Sequence, residues 1–190
     1  MDVLVTGYIG ARGTAILAQE YETDLLKRYP EWLVERAKNF SEEFGECNIS
    51  DASVINSLNA EYAESYTEFG IFEALFQMSK SLKCGLRINI KDIPIRQETI
   101  EICEELSVNP YALYSGNSMI IVCTNSGEVI NRLADSNIKA TLVGYTTCED
   151  NDKILINGDE RSFLQHIRKD ELKNKLGRKM YYERTDSVNC

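Results

Sequence analysis

The sequence predicts an α+β fold with a mixed sheet, and three stretches carry that reading. Val3, Leu4 and Val5 form a continuous apolar run of the kind that makes a buried strand, and the run leads through Gly7, Gly10 and Gly13 into a helical pattern. Ile71, Ala74, Leu75, Met78 and Leu82 recur at helical spacing, widened by Phe72 and Phe76, and mark a central buried helix over 68–82. Ser118-Met-Ile-Ile-Val-Cys123 is a second unbroken apolar run, suited to a central strand. Strands interleaved with helices, the last two strands adjacent, indicate an α+β or mixed α/β sandwich.

The remaining elements follow in order. Ala18, Tyr21, Leu25 and Tyr29 share one helical face, so a helix is expected from Gly13 to Tyr29, stopped by Pro30. A second helix is expected over Glu31–Phe44, with Pro30 near its first position and Gly45 after its end. Asn48 and Asp51 offer capping side chains for a short third helix through Leu58, and Ala60–Ser65 reads as extended. Gly85 stands in the usual position past the end of the central helix. Leu86–Ile90 alternates with period two, as a strand with one covered face does, and Pro94 holds Ile93 extended. Arg96–Ser107 is helical, with Thr99, Ile102, Cys103 and Leu106 on one face, and Asn109–Gly116 is rich in turn residues. An amphipathic helix over Asn125–Asp135 precedes strands at Ile138–Tyr145 and Lys153–Ile156, joined by a polar turn at 148–152. Arg161–Leu176 reads as a charged helix, which completes a single domain over 1–176. The tail 177–190 has no periodicity and is expected to be mobile.

Composition narrows the function classes. At 190 residues, with 43% hydrophobic and 27% charged residues, the chain suits one well-buried core, and no apolar run approaches a membrane span. It begins directly in a strand, so no secretory signal is expected. A net charge of −9 disfavours nucleic acid and anionic membrane as partners. Six cysteines without a C-x-x-C pair argue against a zinc site or a thioredoxin-like motif, and a reduced, cytoplasmic protein is expected. His166, the one histidine, falls on the expected charged helix and reads as a surface residue, not a base. The acidic groups Glu42-Glu43, Glu104-Glu105 and Asp150–Asp152 read as solvated faces and turns. Residue types and spacing assemble no metal constellation and no nucleophilic triad, so no catalytic residue is assigned.

One turn invites chemistry. A strand-to-helix junction aims unpaired backbone N–H groups and the positive end of the helix dipole at one point, which suits a phosphate or another anion. The spacing G-x-x-G-x-x-G over Gly7, Gly10 and Gly13 matches neither the dinucleotide fingerprint nor the P-loop. A turn that only packs a helix closely on a strand therefore stands beside the anion site as a reading of the same residues.

The stretch from Val5 to Ala18 resembles the segment that begins the C-terminal domain of the aminoimidazole ribonucleotide (AIR) synthase superfamily, which includes hydrogenase maturation factors, thiamine-monophosphate kinase and selenophosphate synthetase. Asp92–Leu106, Asn109-Pro110, Tyr114–Met119 and Ile138–Gly144 are similar to later parts of that domain in consistent order. The hydrogenase maturation factor-like branch is the most similar. The resemblance implies a three-layer α/β/α sandwich with a mixed sheet, and a remnant phosphate or ligand site shaped by Thr6, Gly7, Gly10 and Gly13, with Thr67 and Gly70 opposite. Two departures follow from the same resemblance. The family's Asp-x-Thr-x-Gly-Gly loop corresponds to Ser65–Gly70, where Ser65 replaces the aspartate and Phe69 the first glycine, filling space the family leaves for a ligand. The family's N-terminal domain, which supplies most ATP and magnesium ligands and the usual dimer interface, has no counterpart here.

The resemblance therefore implies a stand-alone, diverged domain without complete ATP-dependent catalysis of its own. Half of a split ATP-dependent kinase or synthetase, and a structural interaction module, are the alternatives. ATP and magnesium are implied only together with a partner domain, and the chain is expected to expose an apolar surface covered in a homodimer or in a complex with an N-terminal ATP-binding domain. Hydrogenase maturation factors of the better-known branch end in Pro-Arg-x-Cys, whose thiol receives the transferred group. This chain ends Asp186-Ser-Val-Asn-Cys190 without the proline and arginine, so Cys190 is not expected to be a carrier.

Overall fold

The computed structural model describes residues 1–43, 58–66, 68–116 and 118–177. The helix expected near 48–58, Thr67 and the tail with Cys190 lie outside the described residues. Seven strands, β1 (Asp2–Thr6), β2 (Tyr62–Tyr66), β3 (Gly85–Asn89), β4 (Ser118–Cys123), β5 (Ala140–Thr147), β6 (Lys153–Asn157) and β7 (Glu160–Phe163), form one sheet in the order β2-β4-β1-β5-β3-β6-β7. β3 and β6 run parallel, and the other neighbouring pairs run antiparallel. The two continuous apolar runs, β1 and β4, lie side by side in the interior of the sheet because both faces there are covered.

The helices are α1 (Ala11–Glu20), α2 (Glu22–Leu25), α3 (Glu31–Lys38), α4 (Phe40–Glu43), α5 (Gly70–Leu82), α6 (Gln97–Glu105), α7 (Ser126–Asp135) and α8 (Glu171–Leu176). α5 lays Ile71, Leu75 and Met78 on Val3, Val5, Leu86, Ile88, Ile120 and Val122, the residues of one sheet face. α7 sets Val129 and Leu133 against Leu4, Met119, Ile121 and Cys123 on the other face, which completes three layers. α1, α3, α6 and α8 share a separate cluster around Leu17, Val34, Ile102 and Leu172.

Five expectations are corrected. The first helix begins at Ala11, with Gly10 in the left-handed region at φ 65° as its cap, and it breaks at Tyr21 instead of running to Tyr29. Asn39, outside helical geometry, likewise divides the second helix between α3 and α4. Lys83, at φ 50°, makes the left-handed closure of α5, whereas Gly85 already belongs to β3 and lies against the backbone of 149–152. β5 and β6 do not pair with each other, because β3 lies between them. The expected charged helix over 161–176 is instead strand β7, an irregular stretch and the short α8; Asp170 starts that helix by accepting from the Leu172 and Lys173 N–H groups.

α7 covers only part of its face. The register row Asp2, Tyr145, Arg87, Ile154 and Phe163 crosses the sheet from β1 to β7 on that side. Tyr145 is 52% exposed, Phe163 69%, and nearby Leu142 43%. Large apolar side chains thus stand on open sheet beside the Arg87–Asp152 ion pair.

Candidate functional site: the glycine turn and the β2–α5 cleft

The glycine turn spends much of its hydrogen-bonding capacity on the protein itself. Gly7 N–H donates to the Lys139 carbonyl at 2.9 Å, Ile9 N–H to Pro94 at 2.9 Å, Gly10 N–H to the Ser115 hydroxyl at 3.0 Å, and Gly13 N–H to Tyr114 at 2.9 Å. Thr6, fully buried, accepts from Met119 N–H through its hydroxyl at 2.9 Å. Close approach explains two of the glycines. A Cβ on Gly13 would stand 2.5 Å from Leu113 Cγ and 2.8 Å from the Tyr114 carbonyl oxygen, and one on Gly70 would stand 2.8 Å from Ala112 Cα. Gly13 and Gly70 therefore grip the turn-rich 110–114 segment from two sides, α1 on one and α5 on the other. Phe72 reinforces the α5 side by stacking on Tyr111 at 4.7 Å.

Cations gather beside this turn. Lys139 Nζ donates to the Tyr8 hydroxyl at 2.9 Å, and the Arg96 guanidinium lies 5.3 Å from the centre of the same ring. The Lys139 hydrogen bond is the largest influence holding the Tyr8 phenol below its ordinary range, partly opposed by burial and reinforced by both positive charges.

A cleft of about 440 Å³ opens between β2 and the first turns of α5, lined among others by Tyr62, Glu64, Tyr66, Glu68, Phe69 and Glu73. Both positions that depart from the family loop, Ser65 and Phe69, line it, so Phe69 forms wall and the cleft stays open beside it. Phe69 adopts φ 62°, the left-handed region, immediately before Gly70 at φ 68°. Two carboxylates fix this loop to the 164–177 segment. Glu73 accepts from Gln77 Nε2 at 2.6 Å and Ile167 N–H at 2.9 Å, and it pairs with His166 Nδ1 at 2.8 Å. Asp170, fully buried, accepts from Phe69 N–H at 2.7 Å.

The six expected site residues divide between the two regions. Thr6, Gly7, Gly10 and Gly13 cluster at the start of α1, Gly70 lies across the 110–114 segment from them, and Thr67 is outside the described residues. Sequence reasoning missed Glu64, Tyr66, Glu73 and Asp170. Only Asp170 carried a readable signal, an aspartate before a short polar run, as at a helix N-cap. His166 sits on no helix; its ring stacks on Phe76 at 5.0 Å and meets Glu73. Among the described residues no group of histidines, cysteines and carboxylates is arranged to hold a metal ion, and no helix is long and apolar enough to cross a membrane.

The sequence model of one family, AIR synthase related protein, C-terminal domain, matches residues 2–157. The structure is similar to E. coli HypE, a hydrogenase maturation protein, with a TM-score of 0.68 and 17% identity, covering 89% of this chain and 50% of that one. HypE in complex with ATP has a TM-score of 0.67 at 14% identity, covering 90% of this chain and 52% of that one. Thiamine monophosphate kinase from Aquifex aeolicus has a TM-score of 0.53 at 15% identity, covering 85% of this chain and 51% of that one. The chain thus spans about half the length of the structures it matches. No curated protein sequence matches it.

Proposed function

Since this chain belongs to the AIR synthase-related family through that family's C-terminal domain, we propose that it is a diverged, partner-dependent domain related to the hydrogenase maturation factors, and that alone it does not carry out ATP-dependent catalysis. The observation that carries this reading is the use of the glycine turn. The N–H groups of Gly7, Ile9, Gly10 and Gly13 already serve protein acceptors, which leaves little of the turn to cradle a triphosphate. The neighbouring cleft adds Glu64, Glu68 and Glu73, whose charge opposes a nucleotide. Phosphate release from ATP and magnesium by the purified chain tests this: background hydrolysis is expected, and turnover that persists through successive purification steps contradicts it.

The open sheet face favours a second reading. Leu142, Tyr145 and Phe163 are large exposed side chains on that face, with Arg87 between Tyr145 and Phe163, and a second copy, or a separate N-terminal ATP-binding half, would cover them. With such a half bound, the chain completes a kinase-like or synthetase-like enzyme. Co-purification with that half, together with ATP turnover by the complex, is the expected result.

A further inference from the structure

We infer that the outer edge of β7 is an interface with a second copy of this chain, formed by antiparallel pairing of the two β7 strands about Ser162. β7 ends the sheet order and pairs only with β6 among the described strands. It carries no proline, its register against β6 is unbroken, and all four of its residues are exposed. Phe163, at 69%, is more exposed than any other large apolar side chain among the described residues. Natural sheet edges are usually blunted by proline or a bulge, or covered by another element.

The hydrogen-bond phase decides which groups this edge offers. Beyond the register pair Ile154 and Phe163, Leu164 N–H donates to the Lys153 carbonyl at 2.8 Å. Hydrogen-bonded pairs alternate along an antiparallel ladder, so Glu160, Ser162 and Leu164 turn their backbone groups inward to β6. Arg161 and Phe163 turn theirs outward, where they meet no partner among the described residues. These free groups are symmetric about Ser162. A second copy related by a two-fold axis at that point sets Arg161 of each copy opposite Phe163 of the other. The N–H and C=O groups of both residues in both copies then join in four hydrogen bonds, with Ser162 facing its own counterpart as a non-hydrogen-bonded pair.

Charge selects this register. Arg161 and Phe163 are two residues apart and share the open face, so each guanidinium lies across the strands from an aromatic ring, whose negative face attracts it. Arg161 has no hydrogen-bond or ion-pair partner for its side chain among the described residues, which leaves it available for that contact. Shifting the second copy by one pair sets the two arginines directly opposite each other, where like charges repel, and places Phe163 beside the turn residue Asp159. The axis stands perpendicular to the sheet, so both open faces lie on one side of the joined sheet. The inference rests on the reading of this chain as part of an assembly and deepens it: the second copy joins at the edge, while Leu142 and Tyr145 stay open to a further chain.

Sedimentation equilibrium of the full chain over a range of concentrations, together with oxidative cross-linking, tests the interface. The wild type is expected to reach the mass of two chains and no more. Arg161→Pro removes an outward N–H that serves no acceptor within the chain, so this variant is expected to be monomeric with an unchanged melting temperature. Ser162→Cys, treated with oxidised glutathione under native conditions, is expected to form a disulfide joining position 162 of the two copies. A non-hydrogen-bonded pair sets the Cα atoms about 4.5 Å apart, within disulfide range. Glu160→Cys is expected to form no such link, because its counterpart lies about 13 Å along the strand. Peptide mass mapping distinguishes these links from disulfides of the native cysteines. A monomer at every concentration, assemblies beyond two chains, a dimer that survives Arg161→Pro, or cross-linking through Glu160→Cys but not through Ser162→Cys overturns the inference. A dimer that survives Arg161→Pro yet dissociates in Tyr145→Arg overturns it while upholding the reading of the open face, and none of these outcomes bears on ATP turnover.

Discussion

The buried carboxylate of Asp170 accepts the Phe69 N–H at 2.7 Å while its other oxygen accepts from Leu172 N–H at 2.9 Å. One side chain therefore fixes the left-handed turn before α5 and starts α8, two elements 101 residues apart in the chain. Asp170→Ala leaves buried donors unpaired at both ends and should cost about 1–3 kcal/mol, read as a lower midpoint in urea unfolding.

The same residue gives a signed pH effect. Burial, the largest influence, raises the Asp170 carboxyl above its ordinary 3.8, against the opposing pull of the backbone N–H groups of Phe69, Lys173 and Leu172. Between 3.8 and the raised value the folded chain binds more protons than the unfolded chain, so this group's contribution to stability falls as pH rises through that window. The stability difference between wild type and Asp170→Asn, followed by unfolding across the acid range, should therefore shift against wild type as pH rises. A difference independent of pH would show that Asp170 titrates as it does in the unfolded chain.

Gly13→Val should destabilise the fold by about 1–3 kcal/mol with or without ligand, because the added side chain overlaps Leu113 and the Tyr114 carbonyl. Gly70→Ala should also destabilise, since it adds left-handed backbone strain to overlap with Ala112. Thermal melting checks both, and an unchanged midpoint for Gly13→Val would show that α1 does not press on the 113–114 backbone.

How much of this was legible in the sequence depends on range. β1, β4 and α5 were readable because both faces of those strands and one stripe of that helix are apolar, a signal local to each stretch. β7 was not, because all four of its residues are exposed and charged or polar residues dominate it, so the pattern resembled a surface helix. The separation of β5 from β6 by β3 is a long-range choice that no turn between them encodes. At the site, the glycines were visible as glycines, yet what they touch is the 110–114 segment about a hundred residues beyond Gly10 and Gly13. Nothing in the sequence around Glu73 marks it out on the central helix, and only the return of 166–167 gives it a structural role.

Tyr8 should titrate below its ordinary 10.0, chiefly through its hydrogen bond with Lys139. A phenol depressed on folding adds stability above its unfolded value, and that contribution is lost as pH falls through its folded value. With ten tyrosines in the chain, the difference in ultraviolet absorbance between wild type and Tyr8→Phe isolates this group. Lys139→Met should move it upward, and an unchanged titration would mean that the contact does not persist in solution.

The cysteines should differ in reactivity. Burial pushes the Cys103 thiol up to about 12, which leaves almost no thiolate at neutral pH, whereas Cys148 is exposed. Among Cys84, Cys103, Cys123 and Cys148, alkylation followed by mass spectrometry should label Cys148 first and Cys103 only on unfolding.

Titration calorimetry of the purified chain with ATP and magnesium, run beside light scattering, tests the central claim most directly. The account predicts no saturable heat in the micromolar range and a species heavier than one chain, because the glycine turn is already occupied by protein acceptors and the sheet around Tyr145 and Phe163 stands open. Micromolar binding of ATP, or a dilute monodisperse monomer, would contradict it.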